Sequence, residues 1–425
     1  MANILLNKIK PYFAYCLYDW ANSPFATVVI TFIFSAYFER AIVGNAERAS
    51  ILWGWSISFS ALIVACLAPF IGRHIDKNLT HKFWLIFFTL ISSLGAALFW
   101  FAYPVPQSVI FVCVLVIISN VAFELGGVVY NSLLPTFSKN KKIGSLSGKA
   151  WAAGYAGGIC CLLIILFGFV KNENPLFGIE TDQAANIRIA GPIVAIWFIF
   201  FSIPFLTSVK KHTKIVFYKK KSLFREVLNR IKGLFRNSSQ GRFLLSRMVY
   251  TDGLNTLFAF GGLYAAGTFK MSFIEIIIFG ILINITAGIG ALFFSYFDDK
   301  IGPKFIIKIS LIFLIIFGSM TLIIENKELF LLLGSILGFF IGSVQSSSRS
   351  LMSRYISNGN NTETFGLYAV SGKFTAFLGP AVLAIIVSIF DSQRLGMASI
   401  IIFLLIGLIL LQRVAEPKLV NDENV

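Results

Sequence analysis

The chain has 425 residues, 57% of them hydrophobic and 13% charged, with a mean hydropathy of +0.80 and a formal net charge of +16. So apolar a composition excludes a soluble globular domain and points to a polytopic membrane protein. The sequence pI near 9.6 invites a nucleic-acid reading, but the basic residues flank apolar stretches, so no nucleic-acid partner is expected.

Crossing a bilayer takes about 20 apolar residues. Runs of that kind are read at 12–38, 51–72, 83–103, 106–130, 150–171, 188–209, 243–267, 272–297, 304–324, 328–350, 365–390 and 394–414. The expected fold is an all-α membrane protein of twelve transmembrane helices. The first run is longer than a signal h-region and lacks a small-x-small cleavage site, so it is expected to remain as a span. One set of alternate loops, with both termini, carries Lys8, Lys10, Arg73, Lys77, Lys82, Lys139, Lys141, Lys142, Lys149, a dense cluster over 210–242, Lys300, Lys304, Lys308, Arg349, Arg354, Arg413 and Lys418. The other set has only Arg40, Arg48, Lys171, Arg188, Lys270, Lys327 and Arg394. Both termini are therefore expected in the cytoplasm.

Several ionisable residues fall inside these runs, where each costs about 2.5–3.5 kcal/mol on insertion scales and so faces a bundle interior or an aqueous path. Asp19-x-x-Asn22-Ser23 lies in span one, and Asp252-x-x-Asn255-Thr256 in span seven. Acid and amide three residues apart share a helix face, which suits an ammonium group or a proton; a buried helix–helix pair is the structural alternative. Arg247 precedes Asp252 by five residues and points to another face. Glu124 in span four suits a proton carrier. Arg349 at the end of span ten, with Gln345 beside it, suits a carboxylate or phosphate, or snorkels to the surface. Lys149 and Lys373 fit a gate or snorkelling equally.

The repeat extends further. Gly72-x-x-x-Asp76-Lys77 follows span two, and Ser295-x-x-x-Asp299-Lys300-x-Gly302-x-Lys304 follows span eight; Leu79 stands where the second copy has Gly302. Ser147-Gly148-Lys149 is read as opening span five, and Ser371-Gly372-Lys373 as opening span eleven. The three pairs recur in order at offsets of 233, 223 and 224 residues. Duplication of a six-helix unit is the expectation, with halves 1–209 and 243–415, a basic linker 210–242 and a tail 416–425. Leu223, Phe224, Val227, Leu228, Ile231, Leu234 and Phe235 recur at helical spacing in the linker, which fits an amphipathic interfacial helix or a solvated linker. The runs Gly154-x-x-Gly157-Gly158 and Gly334-x-x-x-Gly338-x-x-x-Gly342 suit close helix approach.

No CxxC, no His or Cys cluster at metal spacing, and no Walker loop, HExxH or GxSxG occurs. Neither a metal, a cofactor nor an enzymatic activity is expected.

The loops after spans two and eight resemble the G-x-x-x-D-[RK]-x-G-x-[RK] signature of the major facilitator superfamily. Within it, Tyr18-Asp19-Trp20-Ala21-Asn22-Ser23, Tyr130-Asn131-Ser132-Leu133-Leu134-Pro135, Ser147 to Tyr155, Gln345 to Ser350, and Phe365-Gly366-Leu367-Tyr368 leading to Leu378-Gly379-Pro380 resemble the vacuole effluxer family, whose eukaryotic member is the autophagy-related amino-acid effluxer. The resemblance implies a secondary transporter of amino acids or similar small solutes in a bacterial inner membrane. It also implies that Asp76, Lys77, Asp299 and Lys300 govern a cytoplasmic gate, which Lys149 could join. The expected mechanism is alternating access by a monomer in contact with membrane lipids. Asp19 and Asp252 would take an amine or proton, and Arg349 a carboxylate, in a cavity lined by spans one, four, seven and ten. Two rivals stand beside it. One is a carrier or flippase of a phosphorylated or lipid-like molecule using Arg247, Arg349 and Lys373; the other is a non-transporting membrane sensor.

Overall fold

The computed structural model describes residues 10–138, 142–171, 175–179, 181–210, 227, 232–233, 238–356 and 360–417. The expected amphipathic helix of the linker lies outside the described residues. The long helices among the described residues are α1 (Pro11–Val43), α2 (Ala46–Asn78), α3 (His81–Leu98), α4 (Ser108–Ser132), α5 (Ile143–Ile165), α6 (Ala190–Ser208), α7 (Ser239–Phe269), α8 (Phe273–Ile301), α9 (Pro303–Ile323), α10 (Lys327–Arg354), α11 (Asn361–Lys373), α12 (Leu378–Phe390) and α13 (Gln393–Gln412). Among these residues, eleven helical stretches are long and apolar enough to cross a membrane, α11 and α12 together counting as one. The expected seventh span lies in α7, whose 31 residues give ample length. Arg247, Asp252 and Asn255 dilute its hydropathy, and it stands outside those eleven.

Local sequence explains the ends. Pro11 and Pro303 occupy first-turn positions, where the missing N–H has no helical partner anyway. Pro24 lies inside α1, which then widens into π turns at Phe25–Phe32 and Phe38–Val43. Ser272 and Glu275 form a capping box that starts α8. Gly302 ends α8 at φ 94°, and Leu79 takes φ 54° at the corresponding place after α2. Both positions take a positive φ, although a left-handed non-glycine costs about 1–2 kcal/mol.

The chain divides into two compact units that do not follow the repeat. The first comprises Met1–Leu67, Asn78–Tyr130 and Ala153–Ile215; the second comprises Ala68–Lys77, Asn131–Ala152 and Val216–Val425. The end of α2 and the first turns of α5 thus belong with the second unit, because their polar groups bond to α8, α10 and α11.

In the first unit, Tyr15, Tyr18, Tyr130 and Phe205 stack in one core, with ring centroids 4.2–5.5 Å apart. Two of its hydroxyls are bonded: Tyr130 donates to the Tyr15 carbonyl at 2.9 Å, and Tyr18 shares a 2.8 Å bond with Thr89. The Gly154, Gly157, Gly158 run faces α1, where a Cβ would collide with Ser23, Trp20 and Thr27. In the second unit, Gly334, Gly338 and Gly342 of α10 face Phe279, Ile283 and Ala287 of α8. Close packing is therefore what both glycine runs do. A Cβ at Gly342 would run into the Ala287 carbonyl, which is backbone and cannot swing away. Gly342→Ala is expected to cost about 1–3 kcal/mol, whereas Gly261→Ala, at a site with nothing within 4 Å, should be neutral or slightly stabilising. Melting curves of the purified variants check this.

Candidate functional site

The helical stretch Asn361–Phe390 is interrupted at 374–377, and its sequence shows why. Pro380 has no N–H to offer the Ala376 carbonyl. The chain instead tightens, with Ala376 N donating to Lys373 O at 3.4 Å and Leu378 N to Thr375 O at 2.7 Å, before α12 resumes. Helix α7 lies against this break. Gly379 allows the approach, since a Cβ there would overlap Thr256 Oγ1. Asn255 Nδ2 makes a long 3.5 Å contact to Gly372 O, and Thr256 donates to Asp252 O at 2.7 Å. Arg247 donates to Tyr368 O at 2.6 Å and Ser371 Oγ at 2.7 Å, its guanidinium 3.5 Å from the Tyr368 ring centroid.

Asp252 is 1% exposed. The Thr375 hydroxyl faces its carboxylate. Yet neither Asp252 Oδ1 nor Thr375 Oγ1 makes a hydrogen bond, though both are buried. Lys373 is half-buried at the end of α11.

The second unit thus gathers Arg247, Asp252, Asn255, Thr256 and Lys373 around the break. The first unit holds Asp19, Asn22, Ser23 and Glu124. There Ser23 donates to Asp19 O at 2.8 Å and lies 3.5 Å from Asn22 Oδ1; Asn22 is buried and Asp19 half-buried. Glu124, also half-buried, sits one turn past Asn120, whose Nδ2 donates to Ser60 Oγ at 2.7 Å.

The gate carboxylates cap helices. Asp76 accepts from Thr362 N at 3.0 Å and Glu363 N at 2.9 Å, in the first turn of α11. Asp299 accepts from Gly144 N at 2.8 Å and Ser145 N at 2.7 Å, in the first turn of α5. A carboxylate on two otherwise unbonded amides at a helix N-terminus gains both charge-assisted hydrogen bonds and the helix dipole. The two arrangements match residue for residue: a Cβ at Gly366 would meet Ala68 O, and one at Gly148 would meet Ala291 O. Equivalent residues of α5 and α11 are thus 218 apart, not 224. This corrects the reading of Ser371-Gly372-Lys373 as the opening of span eleven. It closes α11, between one and two turns deeper than Ser147-Gly148-Lys149. The two tripeptides do not occupy equivalent positions, since capping and glycine contacts fix the register.

Arg349, 3% exposed, is engaged in this conformation. Its Nε donates to Ser147 Oγ at 2.9 Å, Nη2 to Ser147 O at 2.6 Å and Nη1 to Asn131 Oδ1 at 3.2 Å. It does not snorkel. Gln345 is half-buried on the same helix. Lys300 is exposed and bonds Tyr296 of its own helix at 2.5 Å; Lys149 is exposed and Lys77 half-buried.

Sequence reasoning missed a second tier. Arg354 pairs with Asp298 at 2.9 Å, Asp299 at 3.4 Å and Glu416 at 3.4 Å, while Ser350 donates to Asp298 at 2.7 Å. Arg73 pairs with Glu363 at 3.2 Å and also donates to Asn360. Burial pushes the Glu416 carboxyl above the usual glutamate range, with Arg354 opposing it. The adjacent acids Asp298-Asp299 were a visible signal, whereas Arg354 was hidden among residues assigned to topology.

Residues 47–424 match the family described as "Vacuole effluxer Atg22 like". The chain belongs to this family. It is 23% identical over 414 residues to the "Uncharacterized MFS-type transporter YxiO" of Bacillus subtilis, covering 95% of this chain and 94% of the relative. It is 22% identical over 390 residues to "Autophagy-related protein 22" of Kluyveromyces lactis, covering 83% and 77%. Among solved structures, the fold is similar to the major facilitator transporter FucP in its outward conformation (TM-score 0.73, 13% identity, 96% and 99% covered). It is likewise similar to the proton:xylose symporter XylE (TM-score 0.73, 13% identity, 95% and 94% covered). This Atg22-like chain is thus an integral membrane transporter of the major facilitator superfamily, not an enzyme.

Proposed function

We propose that this chain is a twelve-helix secondary carrier of a small polar metabolite, foremost an amino acid, working by alternating access as a monomer and driven by a cation gradient, the proton first. Its two six-helix halves are 1–209 and 243–415, with α7 the seventh span. The observation that carries the reading is Asp252, a carboxylate 1% exposed in a membrane helix with Oδ1 unbonded. Such a group is costly for stability alone and suits a reversible cationic occupant. The duplicated helix caps support two conformers related by making and breaking matched contacts.

Asp19 with Asn22 and Ser23 is assigned to the cargo ammonium. Arg349 would meet the cargo carboxylate only when released from Ser147 and Asn131, which couples occupancy to the conformer. The amino-acid class rests on the family resemblance. A carrier of phosphorylated or lipid-like cargo, using Arg247, Arg349 and Lys373, is the alternative; in this conformer Arg247 and Arg349 are bonded to protein acceptors.

We place the chain in a bacterial inner membrane, and the Lys and Arg distribution supports both termini in the cytoplasm. Cysteines placed at Asn45 and Asn174 should react with impermeant maleimide in intact cells, and those at Ser222 and Asn421 only after permeabilisation. Labelling of Ser222→Cys in intact cells would reverse the orientation. The cargo class is tested by a metabolite melting screen on purified protein, since a ligand of the folded state raises its apparent stability. Stabilisation by amino acids supports the reading; a response confined to phosphorylated or lipid-like compounds sinks it.

A further inference from the structure

We propose that Asp252 and Thr375, at the broken turn of span eleven, form an inorganic-cation site that holds the coupling ion, a proton or a sodium ion, and not the organic cargo. This rests on the gradient-driven reading above and divides its acidic residues between two tasks.

Asp252 Oδ1 on α7 and Thr375 Oγ1 in the turn between α11 and α12 are both buried; the hydroxyl is turned toward the carboxylate, yet neither atom completes a well-aligned hydrogen bond. Each unmet buried polar group costs about 1–3 kcal/mol, so leaving two together favours an occupant that satisfies both. The charge decides its sign. The titratable groups on the surrounding elements are Arg242, Arg247, Tyr250 and Tyr264 on α7, Glu363, Tyr368 and Lys373 on α11, and Lys327, Glu328, Arg349 and Arg354 on α10, and none of them bonds Asp252 Oδ1. Arg247 is bound to Tyr368 O and Ser371 Oγ, and Tyr250 to Ser348 Oγ at 2.7 Å. Helix α12 and the middle of α13 contribute no titratable side chain. The carboxylate therefore has no built-in counter-charge, and the missing partner must be a cation.

Size separates ion from cargo. Gly379 and Gly253 bring α12 and α13 so close to α7 that even a Cβ at either would crowd Thr256 Oγ1 or Phe403 Cβ. An amino acid does not fit such a seam. A bare cation does, and the interrupted helix adds main-chain oxygens, Ala376 O among them, of the kind that coordinate ions in broken transporter helices. Carboxylate, hydroxyl and carbonyl oxygens are hard donors suited to an alkali ion, and a proton on Asp252 could equally be shared toward Thr375.

The test needs no cargo. Purified full-length protein is assayed for radioactive sodium binding at constant ionic strength held with choline, and for proton uptake with an indicator dye as pH falls from about 8 to 5.5. Asp252→Asn and Thr375→Val are compared with wild type after gel filtration shows each folded. On the sodium arm, wild type binds one displaceable ion, Asp252→Asn none, and Thr375→Val at least tenfold more weakly. On the proton arm, no sodium binds, wild type takes up more protons than Asp252→Asn, and Thr375→Val moves the pH at which they are taken up. Either pattern supports the site. Equal sodium binding and equal proton uptake in wild type and Asp252→Asn overturn it, as does loss of amino-acid binding in Asp252→Asn with cation binding unchanged. Failure of every cargo to bind would sink the amino-acid reading while leaving these cation measurements intact.

Discussion

Asp252→Asn is expected to abolish accumulation against a gradient while leaving exchange of cargo across the membrane. The amide keeps the carboxylate's shape, so the seam among α7, α11 and α12 stays packed, but it removes the charge that would draw a cation into a site 1% exposed. Uptake in reconstituted vesicles should fall to simple equilibration, with counterflow persisting. Asp19→Asn should behave differently. Losing an ionic hydrogen bond to an ammonium costs about 1.5–3 kcal/mol, which weakens half-saturation by roughly 10–150-fold without uncoupling what is transported. A non-transporting sensor would show neither phenotype. Unaltered gradient-driven accumulation in Asp252→Asn would remove that carboxylate from coupling.

The second large effect belongs to the duplicated caps. Asp76→Ala with Asp299→Ala removes four charge-assisted hydrogen bonds from the described conformer, two at the start of α11 and two at the start of α5. Each carboxylate is worth about 2 kcal/mol in such a setting, and contacts far apart add. A shift of that size moves the conformational ratio by more than tenfold. Electron–electron distance measurements between spin labels at the Ser132 end of α4 and the Arg354 end of α10 should show a second, longer population in the double variant and an intermediate one in each single variant. An unchanged distribution would reduce the caps to fixtures of topology.

How legible these devices were depends on the range over which each is encoded. Span positions follow from local hydropathy, and all but α7 carry it plainly; α7 is diluted by the residues that make it interesting. The glycine runs were readable because close helix contact leaves a four-residue spacing. The Asp76 and Asp299 turns were readable as a repeat, but their partners were not, since Thr362 and Gly144 lie far off in sequence. Local similarity misplaced Ser371-Gly372-Lys373, because a tripeptide says nothing about where a helix begins. Gly379-Pro380 did signal the break in span eleven, yet the apolar stretch 365–390 hides it when hydropathy alone is read. Arg349 and Arg354 have equal claims in sequence to snorkel; only the hydroxyl, amide and carboxylates that surround them show that both are committed to contacts.

The most direct test is accumulation by the wild-type protein in proteoliposomes, with labelled amino acids outside and an imposed inward gradient of protons or sodium. Internal cargo should rise above the external concentration under one of the two gradients, and fall back when an ionophore dissipates it. Filling to the same level with and without either gradient, for every amino acid supplied, would contradict the account of a cation-driven carrier.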